Sequence, residues 1–391
     1  MEPTRFQVDI PESKLEDLKR RLAQVNWPPD FVDESWEYGV PGSYLKKLCA
    51  YWREGFDWRA QEAEINQYPH FRVEIDGLPI HFLHERGRGP KAIPLILSHG
   101  WPWTFWDLRD VIGPLIDPAA HGGDPSDAFD VVVPSLPGYI FSTPLTRTGV
   151  SWFETADLWV TLMRDVLGYE RFAAQGGDWG AMITVQIGHK YPEQLIGIHL
   201  TNGFAVPAFD GSRPWSIVQA GGGTVDDPAL DAKLASYQRR FASHIATHML
   251  HPQTIGTALH DSPAGLLAWL VEKRFRWGDC RGDVESRFSR DFLLTNASLY
   301  WLTDSFVTSA RYYAEAAQAK WTPAREGLPQ VPTPTGLSLF KHDMSPLPAD
   351  WVNEYFDLRL CNVRDDGGHF GPAENPAAVV DDIRELFRPL R

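Results

Sequence analysis

Apolar and polar positions along the chain fall into several distinct patterns. In residues 11–24, PESKLEDLKRRLAQ, the apolar residues Leu15, Leu18 and Leu22 recur at helical spacing among charges. Pro11 suits a first helical turn, so the segment predicts an amphipathic helix. HFRVEI and LPIHFLH flank Asp76-Gly77, a dipeptide that readily turns a β-hairpin. From residue 93 the apolar runs become continuous: IPLILSHG, FDVVVPSLPG at 129–138, FAAQGGDWG at 172–180 and LIGIHLTN at 195–202. Runs of this kind suit strands buried on both faces of a parallel sheet. Helical stretches such as ETADLWVTLMRDVLG separate them, and the alternation predicts a βαβ-wound sheet.

Residues 203–325 break that alternation. A loop rich in Pro and Gly, with Gly221-Gly222-Gly223, leads into helical patterns such as AGLLAWLVEKRF and FLLTNASLYWLTDSF. This predicts a helical insertion above the sheet. Strand-like runs return in TGLSLFKHD and FDLRLCNV, and the helix NPAAVVDDIRELFR closes the chain. The organisation expected is an N-terminal segment with a hairpin (1–90), a first core part (91–202), a cap (203–325) and a second core part (326–391).

Chemistry concentrates in three of these segments. Gly176-Gly177-Asp178-Trp179-Gly180 follows a strand-like run and precedes the helical MITVQIGHKY. A tight strand-to-helix turn with flanking glycines is the nucleophile elbow of the α/β-hydrolase fold, where esterases carry Ser. The predicted architecture is therefore that fold: α/β, with a mostly parallel central sheet, an inserted helical cap and an N-terminal wrapping segment. Asp178 at the elbow is already ionised near neutral pH and can displace a leaving oxygen or halide from sp³ carbon. A helix N-cap beside useful glycines is the plainer role for the same residue. His99-Gly100-Trp101-Pro102 ends another strand; with Asp178 as nucleophile, the N–H groups of Trp101 and Trp179 are the candidate oxyanion hole. Gly367-Gly368-His369-Phe370 lies between the last strand and last helix, so His369 fits the chain order nucleophile, acid, histidine. Asp343, after a late strand, is the best-placed acid. Asp365 and Asp366 sit too close to His369 and read as loop residues.

Taken together, these landmarks resemble the microsomal-type epoxide hydrolases over nearly the whole chain. The resemblance is carried by FQVDIPESKLEDLKRRL, YLKKLCAYWREGFDW, YPHF, HGWP, PSLPGY, GGDWG, DSPAGL, LLTNASLYW and GGHF, in that order. It implies Asp178 as nucleophile, His369 as base and Asp343 as its acid. It also implies two cap tyrosines that hydrogen-bond the epoxide oxygen. One falls on Tyr313, with Tyr312 as the nearest misassignment. Counting back from DSPAGL, His244 occupies the place of the other, and Tyr237, one to two turns earlier, is the alternative second donor. Trp103 stands where the family carries a small Gly and is expected to reshape the substrate pocket. Ile140 likewise replaces a small residue. The implied partners are an epoxide and water, with no cofactor and no metal. A homodimer is carried as an option.

Composition narrows the partners. A net charge of -14 repels phosphate backbones, which argues against nucleic acid. Cys49, Cys280 and Cys361 form no CxxC pair, which suits a reducing compartment and no metal centre. The opening MEPTRFQVDIPES has no apolar leader, and no run approaches the ~18 residues that span a bilayer. The expectation is a cytoplasmic protein without a membrane anchor. Sixteen Trp and 21 Phe point to a bulky, apolar epoxide. The rival readings are an epoxide-opening cyclase, a haloalkane dehalogenase that would need halide donors, and a non-catalytic binding protein on the same scaffold.

Overall fold

The apolar runs become strands, and Asp76-Gly77 becomes the turn between two of them. The computed structural model describes residues 1–29, 34–202, 228, 232, 241–344 and 355–391. Its strands are β1 (Thr4–Phe6), β2 (His70–Ile75), β3 (Leu78–Glu85), β4 (Ile93–Ser98), β5 (Phe129–Pro134), β6 (Phe172–Gly176), β7 (Leu195–Leu200), β8 (Val331–Phe340) and β9 (Phe356–Arg364). They form one sheet in the order β1-β2-β3-β5-β4-β6-β7-β8-β9. Pairs from β5 to β9 are parallel, whereas β1, β2 and β3 add antiparallel strands at one edge. Asp76 and Gly77 both take positive φ, 51° and 74°, as a two-residue hairpin of this hand requires. Every residue of β5 and of β6 is buried, which explains their uninterrupted apolar sequence.

Among the described residues the helices of eight residues or more are α1 (Glu12–Ala23), α2 (Gly42–Glu54), α3 (Trp58–Ile65), α4 (Arg109–Ile116), α5 (Trp152–Thr161), α6 (Trp179–Lys190), α7 (Ser243–Leu250), α8 (Pro252–Asp261), α9 (Pro263–Trp277), α10 (Arg290–Leu302), α11 (Phe306–Gln318) and α12 (Pro376–Phe387). Local chemistry starts several of them. Ser151 and Glu154 form a capping box at α5, and Ser262 caps α9 ahead of Pro263. The stretch read as one long helix, ETADLWVTLMRDVLG, is α5 followed by a π-turn at Leu162–Val166.

Helices α7 to α11 lie between β7 and β8 in the chain, interrupting the α/β alternation. The N-terminal segment ties itself to them. In α1, Leu15, Leu18 and Leu22 are buried, each worth roughly 1.5–3 kcal/mol over exposure. Lys14 Nζ donates to Leu302 O at 2.7 Å, Trp52 Nε1 donates to Ser298 Oγ at 2.9 Å, and Trp36 stacks on Phe275 at 4.0 Å. Among the described residues no helix is long and apolar enough to cross a membrane.

Candidate active site

Five segments meet at the carboxyl edge of the parallel strands, where open α/β sheets bind ligands. The central one is the turn from β6 into α6. Asp178 holds φ 54° and ψ −124°, a region that costs a non-glycine residue about 1–3 kcal/mol. The flanking glycines are forced by contact. A Cβ on Gly176 would stand 2.1 Å from Gly180 O, and one on Gly180 would stand 2.0 Å from Ser98 O. The turn therefore lifts the Asp178 carboxylate above the sheet edge.

Both ends of that residue are held. Its N–H donates to Asn202 Oδ1 at 2.7 Å, and its Oδ1 accepts the Trp101 N–H at 2.8 Å. The carboxylate comes this close because Gly100 has no side chain; a Cβ there would lie 2.4 Å from Asp178 Oδ1. His99 pins the same loop. Its Nε2 accepts the Leu136 N–H at 3.1 Å, which leaves Nδ1–H to donate to Gly100 O at 2.9 Å. Burial pushes His99 down to about 4, so it stays neutral. Trp179 opens α6, whose first N–H groups have no carbonyl partner within the helix.

His369 is almost wholly enclosed. Its Nδ1 lies 3.1 Å from Asp343 Oδ1, and its Nε2 lies 3.4 Å from Asp178 Oδ2 without hydrogen-bond geometry. Burial opposes a charge on this ring, but Asp343 and Asp178 outweigh it and push His369 up to about 9. Asn202 Nδ2 donates to the other oxygen of Asp343, so one amide joins the two carboxylate residues. Asp365 pairs with Lys341, and Asp366 with Arg281 and Arg287, so both are engaged away from His369.

Tyr313, Trp101, Trp179 and His244 converge above Asp178. The Tyr313 ring centroid lies 4.7 Å from Trp179, 5.8 Å from Trp101 and 5.3 Å from His244. Tyr312 points elsewhere, its hydroxyl 2.8 Å from Thr155 Oγ1. His244 stacks on Trp101 at 5.1 Å and 11°. Burial, reinforced by Lys273, holds His244 well below the usual histidine range, so its charge does not vary across neutral pH. Tyr237 lies outside the described residues. Trp103 is fully buried beneath the site. A Cβ on Gly177 would touch its Cη2 at 2.7 Å, and its ring meets that of His369 edge-on at 5.7 Å.

Sequence reasoning missed Asn202 and His248. His248 accepts from Trp269 Nε1 at 3.2 Å and lies 5.0 Å from the Tyr313 ring. Its spacing of four from His244 on α7 was the available signal. Asn202 carried none. Among the described residues no cluster of three or more His, Cys, Asp or Glu could hold a metal.

A mostly parallel sheet with an aspartate at the elbow, a backbone donor on its carboxylate and a histidine–aspartate pair defines an enzyme of the α/β-hydrolase fold. The family model "alpha/beta hydrolase fold" matches residues 93–326, and "Epoxide hydrolase N terminus" matches residues 3–108. Epoxide hydrolase 1 of Oryctolagus cuniculus is 34% identical, over 97% of this chain and 87% of its own. A Stigmatella aurantiaca protein with a provisional epoxide hydrolase name is 40% identical, over 99% of this chain and 85% of its own. The solved Aspergillus niger epoxide hydrolase superposes with a TM-score of 0.82 at 27% identity, covering 100% of this chain and 97% of that one. The chain belongs to the epoxide hydrolase family.

Proposed function

We propose that the protein converts a bulky, apolar epoxide to a vicinal diol through an ester on Asp178. Asp178 Oδ2 attacks one oxirane carbon from the face opposite oxygen, and the C–O bond at that carbon breaks. Tyr313 donates a proton to the departing alkoxide, with His244 as the second donor. His369, oriented by Asp343, then takes a proton from water, whose oxygen attacks the ester carbonyl carbon. The N–H groups of Trp101 and Trp179 bind the oxyanion. Collapse breaks the ester C–O bond. The leaving diol oxygen takes the proton of the hydroxyl that water delivered, which restores the Asp178 carboxylate. The proton held by His369 returns to the Tyr313 phenolate.

The observation that carries this reading is the Trp101 N–H on Asp178 Oδ1 at 2.8 Å. In this reading Oδ1 becomes the carbonyl oxygen of the ester and Oδ2 attacks. The raised pKa of His369 fits the sequence of steps. Forming the ester removes the Asp178 charge, one of the two that hold the proton on His369, and so frees the ring to act as base. The aromatic walls from Trp101, Trp179 and Tyr313 support an apolar substrate. A single turnover with excess enzyme in heavy-oxygen water tests the mechanism. Unlabelled diol, with label gained on the peptide bearing Asp178, is expected. Labelled diol in that first turnover would leave direct attack by water as the better account.

A further inference from the structure

Glu374 takes no part in the steps above, yet it is buried within five residues of His369. Its Oε2 accepts the N–H of Gly368 at 2.9 Å and of Asp279 at 2.7 Å, and its Oε1 accepts the N–H of Phe370 at 2.9 Å. The N–H between those of Gly368 and Phe370, that of His369 itself, donates to Trp277 O at 3.0 Å. Three consecutive peptides of the histidine loop are thus fixed, two by one carboxylate and one by the last residue of α9. Asp279 lies just past the end of α9, so the same carboxylate also holds the exit from that cap helix. The loop lies flat against that exit. A Cβ on Gly368 would stand 2.8 Å from Asp279 N and from Trp277 O. Burial raises Glu374 to about 7 in spite of the N–H groups of Asp279 and Phe370, so its place is not explained by charge stability.

We infer that Glu374 is a positioning residue for the hydrolytic step. By clamping the peptides on both sides of His369 to the end of α9, it aims the imidazole and couples that aim to the seating of the cap. The ester-forming step uses Asp178 and the cap donors and does not need this aim. The inference rests on the covalent reading, so the test separates the two steps. Rapid-quench mass spectrometry follows ester formation and breakdown with the fastest member of a panel of aryl and alkyl epoxides beginning with styrene oxide. In Glu374→Ala, breakdown is expected to slow about 10²-fold, the scale of a small misplacement, while formation stays near the wild-type rate. The ester then accumulates, and kcat and KM fall together. Glu374→Gln, which keeps one acceptor oxygen, should recover part of the loss. Gly368→Ala, which pries the loop off α9 while leaving the Glu374 carboxylate in the sequence, should show the same selective defect. Equal slowing of both steps, or breakdown at the wild-type rate, overturns the inference while the covalent reading stands. Absence of any ester, even in His369→Gln, removes both.

Discussion

Asn202 and Asp178 face each other across the gap between β6 and β7, the Asn202 Oδ1 holding the Asp178 N–H at 2.7 Å. The same side chain reaches Asp343, so a single amide sets the distance between the elbow and the partner of His369. Asn202→Ala takes the partner from the part-buried Asp178 N–H and one donor from the Asp343 carboxylate, at about 1–3 kcal/mol for the orphaned N–H. Both ester formation and breakdown should slow by at least 10-fold in single-turnover kinetics. Asn202→Asp sets a like charge against Asp343 and should be slower still.

Tyr313→Phe should slow ester formation by about 10²–10⁴-fold, the usual loss for a general acid. Tyr312→Phe removes only the link to Thr155 and should lower stability by about 1 kcal/mol with the alkylation rate intact. The reverse pattern in a quenched-flow comparison would transfer the donor role to Tyr312.

The His369 proton is held more tightly in the folded protein than in the unfolded chain, up to about 9 against about 6.5. Its contribution to stability is therefore full below about pH 6.5 and is lost as pH rises through about 9. The thermal midpoint should fall across that window, and should fall less in His369→Gln. Asp178→Asn, which carries an uncharged carbonyl like the ester, should shift the His369 titration downward in NMR spectra of imidazole-labelled protein. An unshifted titration would remove the charge-release step from the mechanism.

Arg274, from the cap, pairs with fully buried Asp107 beside the Trp101 loop, donates to Pro102 O at 3.2 Å and lies 4.1 Å over Phe370. Arg274→Met alone strands a buried carboxylate and should cost about 3–5 kcal/mol in denaturant unfolding. Adding Asp107→Asn should recover much of that loss. Additive losses in the double variant would mean that the pair is not coupled.

Much of the fold was legible because continuous apolar runs and Asp76-Gly77 have few other uses. β8 was harder. It begins at Val331, ahead of the TGLSLF run, because a register shift between Val331 and Pro334 lets two prolines sit in an inner strand. The segments around Asp178, Asp343 and His369, more than 150 residues apart at their extremes, were legible from their order and from the glycines around them. Asn202 and Glu374 were not. Each accepts from backbone N–H groups, whose positions come from strand register and loop path, and no side-chain pattern encodes those. His244 was legible as a residue but not as a neutral one, since its burial depends on Trp101 and the cap packing around it.

The N-terminal helix meets its partners late. Lys14 bonds to Leu302, 288 positions further along the chain. On a ribosome adding roughly 5–20 residues per second, the first segment waits roughly 15–60 s for the surface it covers. Until α9 is made, the helix that buries Leu15, Leu18 and Leu22 has α2 beside it but not that cap helix. Asp343 and His369 arrive later still, in the segments that follow β8 and β9. The nascent chain thus carries Asp178 well before it carries His369, and the Lys14 bond to the cap forms only once Leu302 is made. A translation pause before α9 would leave one side of α1 without its cap partner, and truncation there would yield a chain with Asp178 but with neither Asp343 nor His369.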